Sequence, residues 1–448
     1  MMVNDLLSIV DPFLDKALKM GVDEIEFYLE KQKINTAFIE STKLKSATAN
    51  NMEGIGIRVL KNGSMGFSSI NSFKKEKIKI CLQKAMTIAK LIPSQENYFL
   101  PDKKQIIKTS NIYDENIVNF KVENCIDIAD EILKKCYLID SRINIESGII
   151  CSIEIETGVL SSKNICISEE KTGFMIELGG MAVEGEKIGS WDEEYNTVVK
   201  VNDIDIDFIV EEFSRKLLQN LETVKIKPFV GKAIISPEAM RSLFSMVIDA
   251  AKASNIQSNA SFLKDKIGEN IANEKLTIID DGLKSNSFAS SSFDREGFPR
   301  QKCTIIENGI FRNALHNSYT ANKENTDSTG HASGDYRTIP EISPTNIEIK
   351  SGTFSLEEMI AETKAGVLFN RISASPDPIS GDFAAVLKGG RLIENGEIKN
   401  TLREITAVGN FFECLKTIRG ISKENKSLNY YTSWKIPYIL LDDINYIS

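Results

Sequence analysis

His316 and His331 are the two histidines of the chain, and they stand fifteen residues apart. A protein zinc site needs ligands converging at about 2.0–2.3 Å, which calls for histidines one helical turn apart or a local Cys/His cluster. Neither pattern occurs, so both histidines read as ordinary surface or loop residues. Ser261-Phe262-Leu263-Lys264 has the spacing of an acylating Ser-x-x-Lys, and Lys171-Thr172-Gly173 that of its Lys-Thr-Gly companion. Their order is reversed and no Ser-Asp-Asn lies between them, so the match reads as coincidence. Gly54-Ile55-Gly56 has Val59 where a dinucleotide fingerprint needs its third glycine. Asp203, Asp205 and Asp207 begin like a calcium loop, but Phe208 stands at the glycine position and Ser214 at that of the bidentate glutamate. These aspartates read as helix caps. No G-x-S-x-G elbow occurs, and no self-contained catalytic constellation remains.

With 448 residues, 42% apolar and 26% charged, the chain has room for two or three domains that each bury a core. The formal charge of −9 argues against general attraction to phosphate backbones, so nucleic acid is not an expected partner. Asp5, Asp11 and Pro12 interrupt what would be the core of a signal peptide, and no stretch reaches the ~18 apolar residues needed to span a bilayer. The seven cysteines are odd in number and lack a C-x-x-C pair, which reads as buried or inert thiols. A cytoplasmic protein without a membrane partner is expected.

Apolar spacing predicts a helix over Asp5–Met20 stopped by Gly21, then a half-buried strand in which Ile25, Phe27 and Leu29 alternate with Glu24, Glu26 and Glu30. Asn62-Gly63 predicts a hairpin, and a helix follows from Lys75 to Leu91. Residues 92–113 read as a linker. Beyond it come a helix near Asp114–Cys136, short glycine-separated strands between Ile149 and Glu184, and a helix over Asp205–Thr223. The third region opens with the strand Lys232–Ile235. Ser236-Pro237-Glu238 then start a helix that carries Met240, Leu243, Phe244, Val247 and Ala251 on one face. Asn308-Gly309 and Asn395-Gly396 mark hairpins, and Ser355–Glu358 is a capping box. The expected fold class is α+β, with largely antiparallel sheets, flanking helices, an N-terminal α/β part and a β-rich C-terminal domain. The expected domains are 1–112, 113–224 and 225–448.

One ordered set of segments in the third region is specific. It runs Asp294-Arg295-Glu296-Gly297-Phe298-Pro299, Ile306-Glu307-Asn308-Gly309, Ser318-Tyr319-Thr320-Ala321, Ser328-Thr329-Gly330 and Ser343-Pro344-Thr345-Asn346. It continues with Ser380-Gly381-Asp382-Phe383, Ile393-Glu394-Asn395-Gly396, Glu404-Ile405-Thr406 and Gly409-Asn410. In order and spacing this set closely resembles the TldD/PmbA family of metallopeptidases, also called modulators of DNA gyrase. Length and domain order agree along the whole chain. TldD-type members are similar to zincins in placing His-Glu-x-x-x-His on the first helix of the C-terminal domain, with a later cysteine implicated in the site. Laid over that segment, this sequence reads Phe244-Ser245-Met246-Val247-Ile248-Asp249, and the cysteine position falls near Leu387. A phenyl ring cannot coordinate and a serine cannot act as a carboxylate base, which looks like the PmbA (TldE-type) branch.

The resemblance implies a subunit that pairs with a TldD-type chain, the pair enclosing a cavity that admits unfolded peptide. This chain would bind no cofactor itself and zinc would sit on the partner. Phe244, Ser245, Asp249 and Leu387 are then relics of a site, while His331, Gly381, Asp382, Phe383 and Asn410 are candidates for substrate or cavity contact. Two other readings stand beside this one. The chain could be a homodimer that binds peptides or a regulatory partner without proteolysis. It could also be an autonomous metallopeptidase with atypical ligands, His331 with Asp335 or Asp382.

Overall fold

The structure is a computed structural model that describes residues 3–374, 377 and 379–447. Helix α1 (Val3–Lys19) buries Leu7, Val10 and Ala17 against strand β1 (Glu24–Glu40), and the two are joined through Gly21 as the apolar spacing predicts. β1 pairs antiparallel with β2 (Lys43–Lys61), which turns at Asn62-Gly63 into β3 (Ser64–Ile70). Helix α2 (Lys75–Leu91) covers one face of this hairpin with Ile78, Leu82, Ala85 and Ala89.

β1 is not half-buried. Ile25, Phe27 and Leu29 face the helices, and the opposite face holds Glu26, Tyr28 and Glu30, which are buried as well. The glutamate face is covered by the loop around residues 294–298, whose Arg295 meets Glu26 there. Residues 92–113 carry no regular element, yet they are strapped down. Leu100 N–H donates to Glu24 Oε2 at 2.7 Å, Thr109 N–H to Ser292 Oγ at 3.0 Å, and Ile112 O accepts from Thr172 N–H at 2.9 Å.

The helix expected near Asp114–Cys136 is split into α3 (Glu115–Val118), capped by Asp114, and α4 (Val122–Ile139). The short strands expected after it are instead two long ones, β4 (Ile143–Ser161) and β5 (Cys166–Glu184), paired from end to end. Their glycines do not end strands but make room above them: a Cβ on Gly179 would lie 2.4 Å from the Trp191 ring. β6 (Lys187–Ile188) and β7 (Asp192–Val198) also pair with β5. The sheet order is β3-β2-β1-β4-β5, with strands from both sides of residue 112 in one sheet. Helix α5 (Ile206–Gln219) starts at Asp205, whose carboxylate accepts from Phe208 N–H at 2.9 Å; of the three aspartates only Asp205 caps the helix, while Asp203 accepts from Asn286 Nδ2 at 3.1 Å and Asp207 pairs with Lys135.

The C-terminal region is a second, larger sheet, mostly antiparallel, with parallel pairs such as Phe229–Ile235 beside Ala365–Phe369. Between these two strands in the chain lies helix α6 (Pro237–Ala250). Ser236 Oγ accepts from Ala239 N–H at 3.3 Å and donates to Asn370 O at 2.7 Å, which seats the helix start on the sheet. The predicted face of Met240, Leu243, Phe244, Val247 and Ala251 is buried in the largest apolar cluster, and Met246 and Ile248 are buried too. Among the described residues no helix is long and apolar enough to cross a membrane.

Candidate functional site

Helix α6 presents the residues that stand at the zinc-motif positions. Phe244 is fully buried, with its ring edge-on to Phe411 at a centroid distance of 5.6 Å, and Leu387, 1% exposed, belongs to the same cluster. Burying such side chains stabilises the fold by roughly 1.5–3 kcal/mol each. Ser245 Oγ donates to Arg241 O one turn back at 2.8 Å, and the exposed Asp249 holds Lys252 at 2.7 Å. A ring, an aliphatic chain, a hydroxyl engaged with backbone and one surface carboxylate do not make a zinc donor set. Among the described residues no group of three or more His, Cys, Asp or Glu side chains is placed to hold a metal ion.

Gly381, Asp382, Phe383 and Asn410 are brought together where the strands Asp382–Lys388 and Ile405–Asn410 pair, with Asp382 opposite Asn410. Asn410 Nδ2 donates to Asp382 Oδ1 at 2.9 Å and to Ser380 O at 2.7 Å, while its Oδ1 accepts from Phe412 and Glu413 N–H and caps the short helix Phe411–Lys416. Gly381 has φ +81°, and a Cβ there would lie 2.4 Å from the Phe412 ring. Asn410 and the Oδ1 atom of Asp382 thus serve the turn and its cap, while Asp382 itself is exposed.

His331 lies elsewhere and is neither a surface nor a loose loop residue. It is 1% exposed, with Nδ1 2.8 Å from Thr329 Oγ1 and Nε2 3.2 Å from Asp280 Oδ2, a close contact without the geometry of a hydrogen bond. Burial disfavours the charged form of Asp280, but His331 beside it and the donors from Thr345 outweigh this and hold its pKa below the usual carboxylate value. Asp335 is engaged by Arg337, as Asp382 is by Asn410, so the carboxylate at His331 is Asp280. His316 is buried too, and burial lowers its pKa.

The Ser261–Lys264 pair is dismantled. Ser261 Oγ donates to Ala250 O at 2.6 Å, whereas Lys264 reaches Asn259 Oδ1 at 2.5 Å. Gly54 and Gly56 answer a packing need, since a Cβ on Gly54 would lie 2.2 Å from the Tyr336 ring and one on Gly56 2.6 Å from Tyr336 O. Six cysteines are buried, and Cys166 is exposed.

Two features were missed in the sequence. The first is a buried charge network that joins the N-terminal sheet to the 294–299 segment. Arg58 Nη1 lies 2.7 Å from Glu296 Oε1 and Nη2 2.6 Å from Glu26 Oε2, and Arg295 Nη1 lies 3.0 Å from Glu26 Oε1. Glu296 also accepts from Ser318 N–H and Oγ at 2.8 and 2.6 Å. Beside it, burial and the Glu296 charge push the Asp294 carboxyl up to about 7. The second is a charged cavity of about 400 Å³ between β7, α5 and α6. Alternating glutamates in β1 and the Asp-Arg-Glu run at 294–296 were the visible signals of the network; nothing local marks the cavity.

Residues 230–448 match the PmbA/TldA metallopeptidase C-terminal domain, and residues 25–89 match PmbA/TldA metallopeptidase domain 1. The chain is 30% identical to an uncharacterized protein of Methanocaldococcus jannaschii over 412 residues, 90% of this chain and 93% of that one. It is 27% identical to a metalloprotease of the same organism, with 92% of each chain covered. Its fold is similar to the crystal structure of TldE from Thermococcus kodakarensis, with a TM-score of 0.91 and 24% identity over 98% of this chain and 100% of that one. On these matches and the shared architecture, the chain belongs to the PmbA/TldD metallopeptidase family.

Proposed function

We propose that this chain is the TldE-type, noncatalytic subunit of a two-chain zinc metallopeptidase that acts on unfolded peptides, with the zinc held by a TldD-type partner. The observation that carries the reading is Phe244. Where a TldD-type chain would need an imidazole facing a metal, this chain has a phenyl ring wholly buried against Phe411, with Leu387 in the same apolar cluster. A helix freed of metal chemistry serves packing, and its hydroxyl and carboxylate turn to backbone and surface partners.

Such a subunit contributes walls and strand edges. Lys43–Gly54 of β2 pair with β1 on one side, while β3 reaches only Ile55–Lys61 on the other, so this stretch has an open edge among the described residues. A strand edge binds a peptide through main-chain hydrogen bonds and so accepts many sequences. The test is peptide hydrolysis by this chain, by a TldD-type chain from the same organism, and by the mixture. The reading expects turnover that requires the TldD-type chain and rises when this chain is added. Hydrolysis by this chain unaided would overturn it.

A further inference from the structure

The cavity of about 400 Å³ beneath the first half of α6 is lined by β7, α5, α6 and the strands that begin at Arg371 and Arg391. Six cations face it: Arg215, Lys216, Arg241, Arg371, Arg391 and Lys426. Most are matched. Glu194 holds Lys216 at 2.6 Å and Lys426 at 3.0 Å, and Glu238 lies 2.9 Å from Lys426 and 3.5 Å from Lys216. Burial raises the cost of the Glu238 charge, yet the two lysines outweigh it and push its pKa down to about 2. Glu212 holds Arg215 at 2.7 Å.

Arg391 is not matched. Its Nε is buried and lacks a hydrogen-bond partner, it has no ion pair among the described residues, and burial together with the like charge of Arg215 disfavours its cation. Arg371 Nε is likewise buried without a hydrogen bond, 3.8 Å from Asp192 Oδ1. A buried guanidinium donor left without a partner is costly, and a ligand oxygen would relieve that cost. Against the six cations stand five carboxylates, Asp192, Glu193, Glu194, Glu212 and Glu238, which leaves a surplus of one positive charge. That surplus suits a monoanion, and the glutamates would repel a phosphate dianion. The planar fork of arginine matches a carboxylate. Leu356, Leu368, Ile372 and Leu428 supply apolar wall beside the charges.

We infer that this cavity binds the C-terminal carboxylate of a peptide, Arg391 and Arg371 taking the oxygens and the apolar wall taking the last side chain. The choice of a peptide as the bearer of the carboxylate rests on the function proposed above. The pocket would orient a chain end relative to the rest of the enzyme, with no bond made or broken in it.

The test is equilibrium binding of a fluorescein-labelled hexapeptide ending in leucine to the full chain alone. The peptide is offered as free acid and as C-terminal amide, to wild type and to Arg391→Gln, with a thermal melt to show that the variant is folded. The expected result is binding of the acid, weakened about tenfold or more by amidation and by the substitution alike. Equal binding of acid and amide, no binding of the acid, or a folded Arg391→Gln that binds the acid unchanged would each overturn the inference. So would displacement of the peptide by inorganic phosphate more readily than by acetate. Peptide mass after the titration reads the subunit proposal separately, since that proposal requires the peptide to remain intact.

Discussion

Phe244 stands edge-on to Phe411, ring centroids 5.6 Å apart and planes at 83°, in the cluster that also contains Leu387. The position that the family resemblance assigns to a metal ligand is thus a core position, and its loss is felt as a packing defect. Phe244→Ala is expected to lower stability by about 3–5 kcal/mol, whereas Phe244→Leu costs less than about 1.5 kcal/mol. Urea denaturation of both variants measures this. A small effect of the alanine substitution would show that the helix is not packed as described.

Arg58 is expected to be among the costliest surface-remote charges to remove. It lies between Glu26 and Glu296, both buried, so Arg58→Met leaves Glu296 without its cation and Glu26 with Arg295 alone, and is expected to destabilise by about 3–5 kcal/mol. Arg58→Lys is expected to recover little, because one ammonium cannot reproduce a guanidinium that reaches two carboxylates. The denaturation midpoints of the two variants, read at one pH, decide this.

Asp294 makes stability depend on pH. Its folded pKa is raised to about 7 by burial and by Glu296, while an unfolded aspartate titrates near 3.9. Between these values the folded chain holds a proton that the unfolded chain has lost. The contribution of this group is therefore full below about pH 4 and fades as pH rises toward 7. Wild type is expected to lose more stability than Asp294→Asn between pH 4 and 7, in a comparison of thermal midpoints at several pH values. Parallel curves would contradict the assignment.

Asn410 caps the helix Phe411–Lys416 through Phe412 and Glu413 N–H and also donates to Asp382. Asn410→Ala is expected to cost about 0.5–2 kcal/mol, with Asn410→Asp retaining the cap but placing a second carboxylate against Asp382. If these residues serve only the turn, both variants are expected to leave peptide hydrolysis by the mixed chains unchanged at temperatures well below the melt.

What could be read from the sequence was local. Ser236-Pro237 start α6, Asp205 caps α5, and Asn62-Gly63, Asn308-Gly309 and Asn395-Gly396 turn hairpins, because each signal lies within a few residues of its effect. What could not be read depends on distant partners. Glu26 and Glu30 alternate with apolar residues as on a solvated face, yet Glu26 is buried against Arg58 and Arg295, the latter 269 residues away. His331 looked like a loop residue until Asp280 came to its side. The glycines of β4 and β5 resembled breaks because a glycine that ends a strand and one that lies under a tryptophan look alike in sequence. Of the site, the substituted positions 244, 245, 249 and 387 were legible through the resemblance. The charged cavity was not, because residues from 192 to 438 converge on it.

The most direct test of the account is the zinc content of the purified chain, measured by mass spectrometry of the metal after dialysis against zinc, with peptidase activity read on the same sample. The account predicts far less than one zinc per chain and no hydrolysis until a TldD-type chain is added. One zinc per chain together with unaided hydrolysis would contradict it and would require ligands other than those at the α6 positions.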